Sequence, residues 1–411
     1  MKNTGSLVQK AQAAPKTRWA TLALGTLLLV MLGLIYAWSV FIAPLEADFG
    51  WNRAETSMTF TLSIILFCAG GLAAGLLSRK LPARALLCLS AGLLLAGFAA
   101  SSRVSSLPGI YLAYGVLVGL GVGFAYNTII TLVGQWFPDR RGIASGVLLM
   151  GFGMGGMILG AATTSLMAQF GWRNVFLALA IVFAVIMLAG ALALRAPTAA
   201  ELAALPQPVQ KPGATQAAEN LSTRQMLRRP GFWVYFAWSL FLVAAGLVIV
   251  GHAAAAAGDM GANGTSAAVI AGLVSISNGG GRILVGLVYD RRGLKPTMWL
   301  VNLCALLAPL LLLAAHFTGA MPLLGAGFVL TGIFYGGVPT VNATFISGNY
   351  GQQHFAVNFS IVNATLLVAP VIGSYLAGAL RTAGGSYAGA YVVMLCFALA
   401  SLVACAKLKR A

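Results

Sequence analysis

Arg282 lies inside the apolar run 267–287, in the stretch Ser277-Asn278-Gly279-Gly280-Gly281-Arg282-Ile283-Leu284-Val285, and it is the one basic residue that cannot be placed near the end of an apolar run. An ionised side chain in hydrocarbon costs between about 2.5 and 17 kcal/mol, depending on how it is measured, so it is kept for a partner or a task. A guanidinium suits a carboxylate: its planar fork donates two parallel hydrogen bonds, and its charge cancels one negative charge. Asp290 closes the same run, and eight residues at about 1.5 Å each put Arg282 roughly 12 Å beneath the surface, near the bilayer midplane. The structural alternative is an arginine paired to an acid or reaching along its helix to the interface.

Asn278 precedes Arg282 by one helical turn and shares its face. It is placed to contact a ligand or orient the guanidinium, unless it only joins two helices. Tyr126, in Gly123-Phe124-Ala125-Tyr126-Asn127, stands thirteen residues before the surface Asp139, at a depth comparable with that of Arg282. Its hydroxyl can bond an anion while its ring closes a pocket; packing is the alternative. His252 falls near the end of another apolar run. The acids Glu46, Asp48, Glu55, Asp139, Glu201, Glu219, Asp259 and Asp290 all lie in loops or at run ends. If the function involves a proton, His252 is the embedded side chain with a suitable pKa; otherwise it is a hydrogen-bonded structural histidine.

These residues must be held by membrane helices. The 411 residues are 59% hydrophobic and 8% charged, with a mean hydropathy of +0.90, which excludes a soluble domain. Runs long enough to cross about 30 Å of hydrocarbon fall at 19–45, 55–78, 83–102, 108–134, 142–168, 173–195, 231–257, 265–288, 296–317, 321–347, 355–380 and 386–406. The first is too long for the apolar core of a signal peptide and has no small-residue cleavage site, so it is read as a retained span. A basic arm, 1–18, precedes it. The polar segment 196–230, rich in Pro, Gln and Ala, separates 19–195 from 231–406, and 407–411 form a tail. The expected fold is an all-α membrane protein of twelve transmembrane helices in two six-helix bundles.

An even number of spans puts both termini on one face. Twenty lysines and arginines fall on that face, and Arg53, Arg103, Arg173 and Arg381 on the other. The termini and the central segment are therefore expected in the cytoplasm of a multi-pass plasma membrane protein, with a bacterial inner membrane favoured. The net charge of +17 then needs no nucleic-acid partner. Cys68, Cys88, Cys304, Cys396 and Cys405 lie in apolar runs without metal-ligand or redox spacing. No nucleophile with a base, ligand cluster or phosphate-cradling loop is present, so neither an enzyme nor a cofactor is expected.

The halves echo each other. The loop Gly286-Leu287-Val288-Tyr289-Asp290-Arg291-Arg292-Gly293-Leu294-Lys295 has a degenerate counterpart at Gly75-Leu76-Leu77-Ser78-Arg79-Lys80-Leu81-Pro82-Ala83-Arg84, the weak internal symmetry that transporter halves show. With Trp136-Phe137-Pro138-Asp139-Arg140-Arg141-Gly142, this loop resembles the major facilitator superfamily. The resemblance makes Asp139, Arg140, Arg141, Asp290, Arg291 and Arg292 gating residues that pair across helices.

Within that superfamily the chain resembles the oxalate/formate antiporter and monocarboxylate porter group, through Tyr36-Ala37-Trp38-Ser39, 119–127, 226–233 and Asn278 to Arg282. The resemblance implies that Arg282 grips a substrate carboxylate and that Tyr36, Tyr335 and, more loosely, Phe152 line the cavity. Two departures matter. The neutral Asn278 stands where the eukaryotic porters carry an acid. The run 355–380 has no lysine or arginine, where the oxalate antiporter carries a second cation; Val362 or Asn363 takes that place. One cation neutralises a monoanion, whereas a dianion would leave a buried charge costing several kcal/mol. The expected function is secondary transport of lactate, pyruvate or a small hydroxy acid by a monomer, with a proton as possible coupling ion. Alternatives are a dicarboxylate/formate-type exchanger, a multidrug or metabolite exporter, and a non-transporting sensor.

Overall fold

Inside a bilayer every backbone N–H and C=O must be satisfied by the chain itself, so apolar runs of this length have no option but helix. The computed structural model describes residues 2–78, 80–139, 141–205, 220–351 and 354–408. The side chains of 2–16, 141–143, 145, 290, 347, 355, 356 and 360 are outside that description. Eleven helices are long and apolar enough to cross a membrane: Thr17–Ala37, Arg53–Leu77, Ala83–Ser102, Leu107–Gln135, Gly146–Ala193, Pro230–Val250, Gly264–Tyr289, Leu294–Thr318, Met321–Tyr350, Val357–Gly384 and Ala388–Lys407. One of them, Gly146–Ala193, is 48 residues long, about twice what a bilayer needs. It breaks at Gly171, whose φ of 74° and ψ of 155° suit glycine alone. Counted as spans 5 and 6, it brings the total to the expected twelve.

The helix ends follow local chemistry. Asn52 starts span 2 with a capping box: its side chain accepts from Glu55 N at 3.0 Å, and Glu55 Oε2 accepts from Asn52 N at 2.8 Å. Asn263 caps span 8 by accepting from Ser266 N at 2.8 Å. Two spans lose their regular winding near candidate site residues. Span 1 tightens to a 3-10 turn at Gly33–Ala37, around Tyr36. Span 11 stops at Asn363 and resumes at Thr365. Such interruptions inside a long helix are where a span can bend.

Spans 1–6 and 7–12 form the two bundles, which meet along two helix pairs, span 5 with span 8 and span 2 with span 11. A six-span repeat maps span 2 onto span 8 and span 5 onto span 11, so each pair is the counterpart of the other. The face carrying both termini is here the terminal face, and the opposite one the far face. Three hydrogen bonds that cross between the bundles sit toward the far face: Ala54 N to Thr382 Oγ1 at 3.1 Å, Ala254 N to Ser39 Oγ at 3.3 Å and Thr61 Oγ1 to the Pro370 carbonyl at 3.3 Å.

Candidate functional site

Two of the three glycines before Arg282, Gly279 and Gly281, explain how its helix reaches the centre. A Cβ on Gly279 would stand 3.1 Å from the Met150 carbonyl of span 5, and one on Gly281 2.5 Å from the Ile333 carbonyl of span 10. Without those side chains span 8 lies against both neighbours, and Arg282 is drawn into the interior with 9% of its surface exposed. It sits five to six residues, about 8 Å, to the terminal side of the midpoint of Gly264–Tyr289. Its Nε and Nη1 are buried without a hydrogen-bond partner. Among the described residues no carboxylate pairs with it.

Tyrosine hydroxyls stand where an acid would. Tyr126 faces the guanidinium, and Tyr36 and Tyr335 lie within its electrostatic reach. Their rings belong to one aromatic cluster. Tyr36 meets Phe152 edge-on at 5.1 Å and Tyr335 of the other bundle at 6.5 Å; Tyr126 lies 4.8 Å from Phe152. Phe67 of span 2 completes it, 5.1 Å from Tyr126 and 5.8 Å from Phe152. Sequence reasoning missed Phe67, because a phenylalanine in an apolar run carries no signal of its own. The arrangement is a buried cation with unused donors, walled by rings whose hydroxyls can bond an anion's remaining lone pairs.

Asn278 is fully buried one turn toward the far face, against Gly336 of span 10, and its Oδ1 has no partner. Asn363 belongs to a separate chain of bonds: Tyr235 OH donates to Asn342 Oδ1 at 2.7 Å, and Asn342 Nδ2 to Asn363 Oδ1 at 3.3 Å. Val362 is wholly buried. His252 lies apart, at the far face. Of the gating residues, Asp139 accepts from Arg18 Nη1 at 3.1 Å, a contact within the first bundle, and Arg291 and Arg292 are exposed. Arg140 and the side chains of Arg141 and Asp290 lie outside the described residues.

On the far side of Tyr36, spans 1, 7 and 8 leave a crevice of about 10 Å3, barely room for one water. A separate cavity of about 250 Å3 lies within the first bundle, at the terminal ends of spans 2, 3 and 4, and none of the cluster residues lines it.

The family profile of the Major Facilitator Superfamily matches residues 22–357 and 255–410. An oxalate:formate antiporter of Oxalobacter formigenes is 26% identical over 397 residues, 94% of this chain and 91% of its own. Monocarboxylate transporter 12-B of Danio rerio is 27% identical, with 82% of this chain and 76% of its own aligned. Monocarboxylate transporter 11 of Homo sapiens is 25% identical, with 88% and 76% aligned. Among solved structures, a bacterial homolog of the human lysosomal transporter Spinster, inward-facing and unoccupied, superposes with a TM-score of 0.73 at 17% identity, covering 95% of this chain and 96% of that one. A D-xylose-proton symporter gives 0.67 at 16%, covering 94% and 96%. The twelve spans, their two-bundle arrangement and this coverage together make the chain a membrane transporter of the major facilitator superfamily, in the group of the oxalate:formate antiporter and the monocarboxylate transporters.

Proposed function

We propose that the protein is a secondary carrier of small organic monocarboxylates of the lactate, pyruvate or hydroxy-acid type, and that Arg282 binds the carboxylate. The observation that carries this reading is the guanidinium itself, buried with Nε and Nη1 unpartnered. Leaving such donors empty costs roughly 1–3 kcal/mol or more, and an anion supplying two acceptors and one negative charge removes that cost. Tyr126, Tyr36 and Tyr335 complete the cradle, with Phe152 as wall. The buried, unpartnered Asn278 Oδ1 suits a donor on the substrate, such as a hydroxyl beside the carboxylate. Dicarboxylate exchange is the second reading, favoured by likeness to the oxalate:formate antiporter. Against it stands the absence of lysine and arginine from 355–380.

Transport proceeds by alternating access, with 19–195 and 231–406 as the halves that rock about the site, 196–230 joining them, and 1–18 and 407–411 as terminal arm and tail. The distribution of positive charge puts the terminal face in the cytoplasm of a plasma membrane. The test is uptake into proteoliposomes of a labelled panel of mono- and dicarboxylates at two pH values, by wild type and Arg282→Gln. Monocarboxylate uptake that vanishes in a folded Arg282→Gln protein is expected. Undiminished uptake by that variant would place the site elsewhere.

A further inference from the structure

A second buried polar chain, remote from Arg282, joins the bundles at the far face. Arg53, the first residue of span 2, is gripped by Glu46 through Nε to Oε1 at 2.7 Å and Nη2 to Oε2 at 2.9 Å. Its Nη1 reaches into the other bundle and donates to the Tyr387 hydroxyl. Tyr387 OH in turn lies 3.0 Å from His252 Nδ1, and His252 Nε2 lies 2.9 Å from the Ser374 carbonyl oxygen. His252 is wholly buried, and Tyr387 is 3% exposed.

The carbonyl fixes the direction of each bond. It can only accept, so Nε2 carries the hydrogen and Nδ1 of the neutral ring accepts. Tyr387 therefore donates to Nδ1 and keeps its oxygen lone pairs for Arg53. A proton on Nδ1 breaks that order: Tyr387 loses its acceptor, and a second positive charge stands one hydroxyl away from Arg53.

The charged surroundings are already balanced. Glu46 and Arg53 come from the first bundle; Asp259 comes from the helix Ala253–Asp259 and Arg381 from span 11. Asp259 Oδ2 accepts from Arg381 Nε at 2.5 Å, and Asp259 lies 4.0 Å from Arg53. The remaining titratable group is Tyr391 of span 12, stacked on Tyr387 at 6.2 Å. Span 2 presents Phe60 beside Gly251, and residues 264–281 of span 8 carry no titratable side chain. Two acids face two arginines, so a charged imidazole would be uncompensated in a dry site.

We propose that His252 is the binding site of a coupling proton, and that Tyr387 and Arg53 are positioning residues that convert its charge into release of the far-face closure. When the bundles part, the ring meets water and regains an ordinary pKa of about 6.5. Neutral His252 therefore supports closure fully above about pH 6.5. The support is lost as pH falls below that value, by up to about tenfold in the closed-to-open ratio per pH unit for one linked proton. The direction of transport rests on the carboxylate reading above: with the far face outside, an external proton opens the route by which the anion enters, and proton and monoanion cross as a neutral pair.

The experiment uses the full chain with its cysteines replaced and spin labels at Ser105→Cys and Thr318→Cys, one exposed far-face position in each bundle. Distances are measured at pH 7.5 and 5.5, with no substrate present. The expected result is a longer-distance population that grows in acid in the parent. It should not grow in acid in His252→Gln, and in Tyr387→Phe, which lacks the tie to Arg53, it should already exceed the parent's at pH 7.5. An identical distribution at both pH values in the parent, or an unchanged acid response in His252→Gln, overturns the proposal. Tyr387→Phe removes a single oxygen, so it keeps the test available should His252 variants fold poorly. Lactate counterflow at equal pH on both sides separates the two readings. His252→Gln is expected to retain counterflow while losing stimulation by an inward proton gradient. Stimulation retained at the parent level counts against the proton site, whereas absence of lactate counterflow in the parent counts against the carboxylate reading and leaves the distance test standing.

Discussion

Two buried arginines in this protein are in opposite states. Arg53 has its side chain 10% exposed and is paired by Glu46 through both ends of its fork. Arg282 is as deeply enclosed, yet its Nε and Nη1 face no acceptor. The same side chain thus serves two ends. With a counter-ion from its own bundle, Arg53 has bonding capacity left over to hold the other bundle. Without one, Arg282 is left, on the function proposed above, to be completed by an anion from solution. A buried arginine is informative about function through what it lacks, not through its depth.

The largest effects are expected at Arg282, where the proposed function makes the substrate the missing partner. Arg282→Gln should lower uptake by about thirtyfold to several thousandfold, the 2–5 kcal/mol range for truncating one member of a buried charge pair. Arg282→Lys keeps the charge but not the fork, and should recover part of the loss, with a raised KM, because a single ammonium cannot bond both carboxylate oxygens in parallel. Equal activity of the lysine and arginine proteins would show that charge alone is read.

Arg53→Gln should behave differently. It orphans Glu46 and cuts the tie to Tyr387, so the expected loss is about 1–3 kcal/mol of stability, reduced from the fully buried case by partial exposure. Substrate affinity in the detergent-solubilised protein should be retained. The double variant Glu46→Gln with Arg53→Gln should regain part of that stability, because the stranded carboxylate is gone; a double variant no better than the single would mean the pair is not coupled. A smaller shift is expected where a second cation is introduced. Val362 is wholly buried in the wall, whereas Asn363 is half-buried and bonded to Asn342, so Asn363→Lys is the better placed change. It should move preference toward dicarboxylates by about tenfold, well below the roughly 4 kcal/mol of two unit charges 4 Å apart at an effective dielectric of 20. Uptake ratios of lactate to oxalate measure it.

The solitude of Arg282 was legible in the sequence because it depends on local facts: a cation far from either end of an apolar run, with every acid at a run end. The span count was legible for the same reason, including the break between spans 5 and 6, where Gly171 and its neighbours interrupt the run. Tyr126 could be placed by depth. The Arg53 chain was not legible, since Arg53 and Tyr387 are separated by 334 residues and each reads alone as an ordinary residue at a helix end. The family motif around Asp139 suggested gating pairs, and Arg140 and the side chains of Arg141 and Asp290 that would form them lie outside the described residues. The 3-10 turn at Gly33–Ala37 left no mark either, because glycines are spread through all the spans but the ninth.

A third arginine calibrates the comparison with the smallest effect. Arg195 holds Glu201 by two bonds of 2.7 Å, and Thr198 adds its N–H at 2.8 Å, but the Arg195 side chain is 52% exposed and neither partner belongs to the second bundle. The guanidinium beside Glu201 pushes its carboxyl down to about 2. A depressed carboxylate stabilises above its ordinary value, near 4.3, and that contribution fades as pH falls toward 2. With solvent screening it is worth about 1 kcal/mol or less. Hydrogen exchange in the short helix Ala199–Ala204 should therefore stay flat from pH 7 to 5, after correction for the intrinsic rate, and rise below about pH 4. Arg195→Gln should loosen this segment at neutral pH and leave transport unchanged, since its pair spans no moving boundary and its guanidinium already rests on the Trp136 ring at 5.3 Å. A transport defect in Arg195→Gln would mean that pairing within one bundle also governs the cycle. Arg53 would then owe its importance to having a partner at all, and not to reaching across.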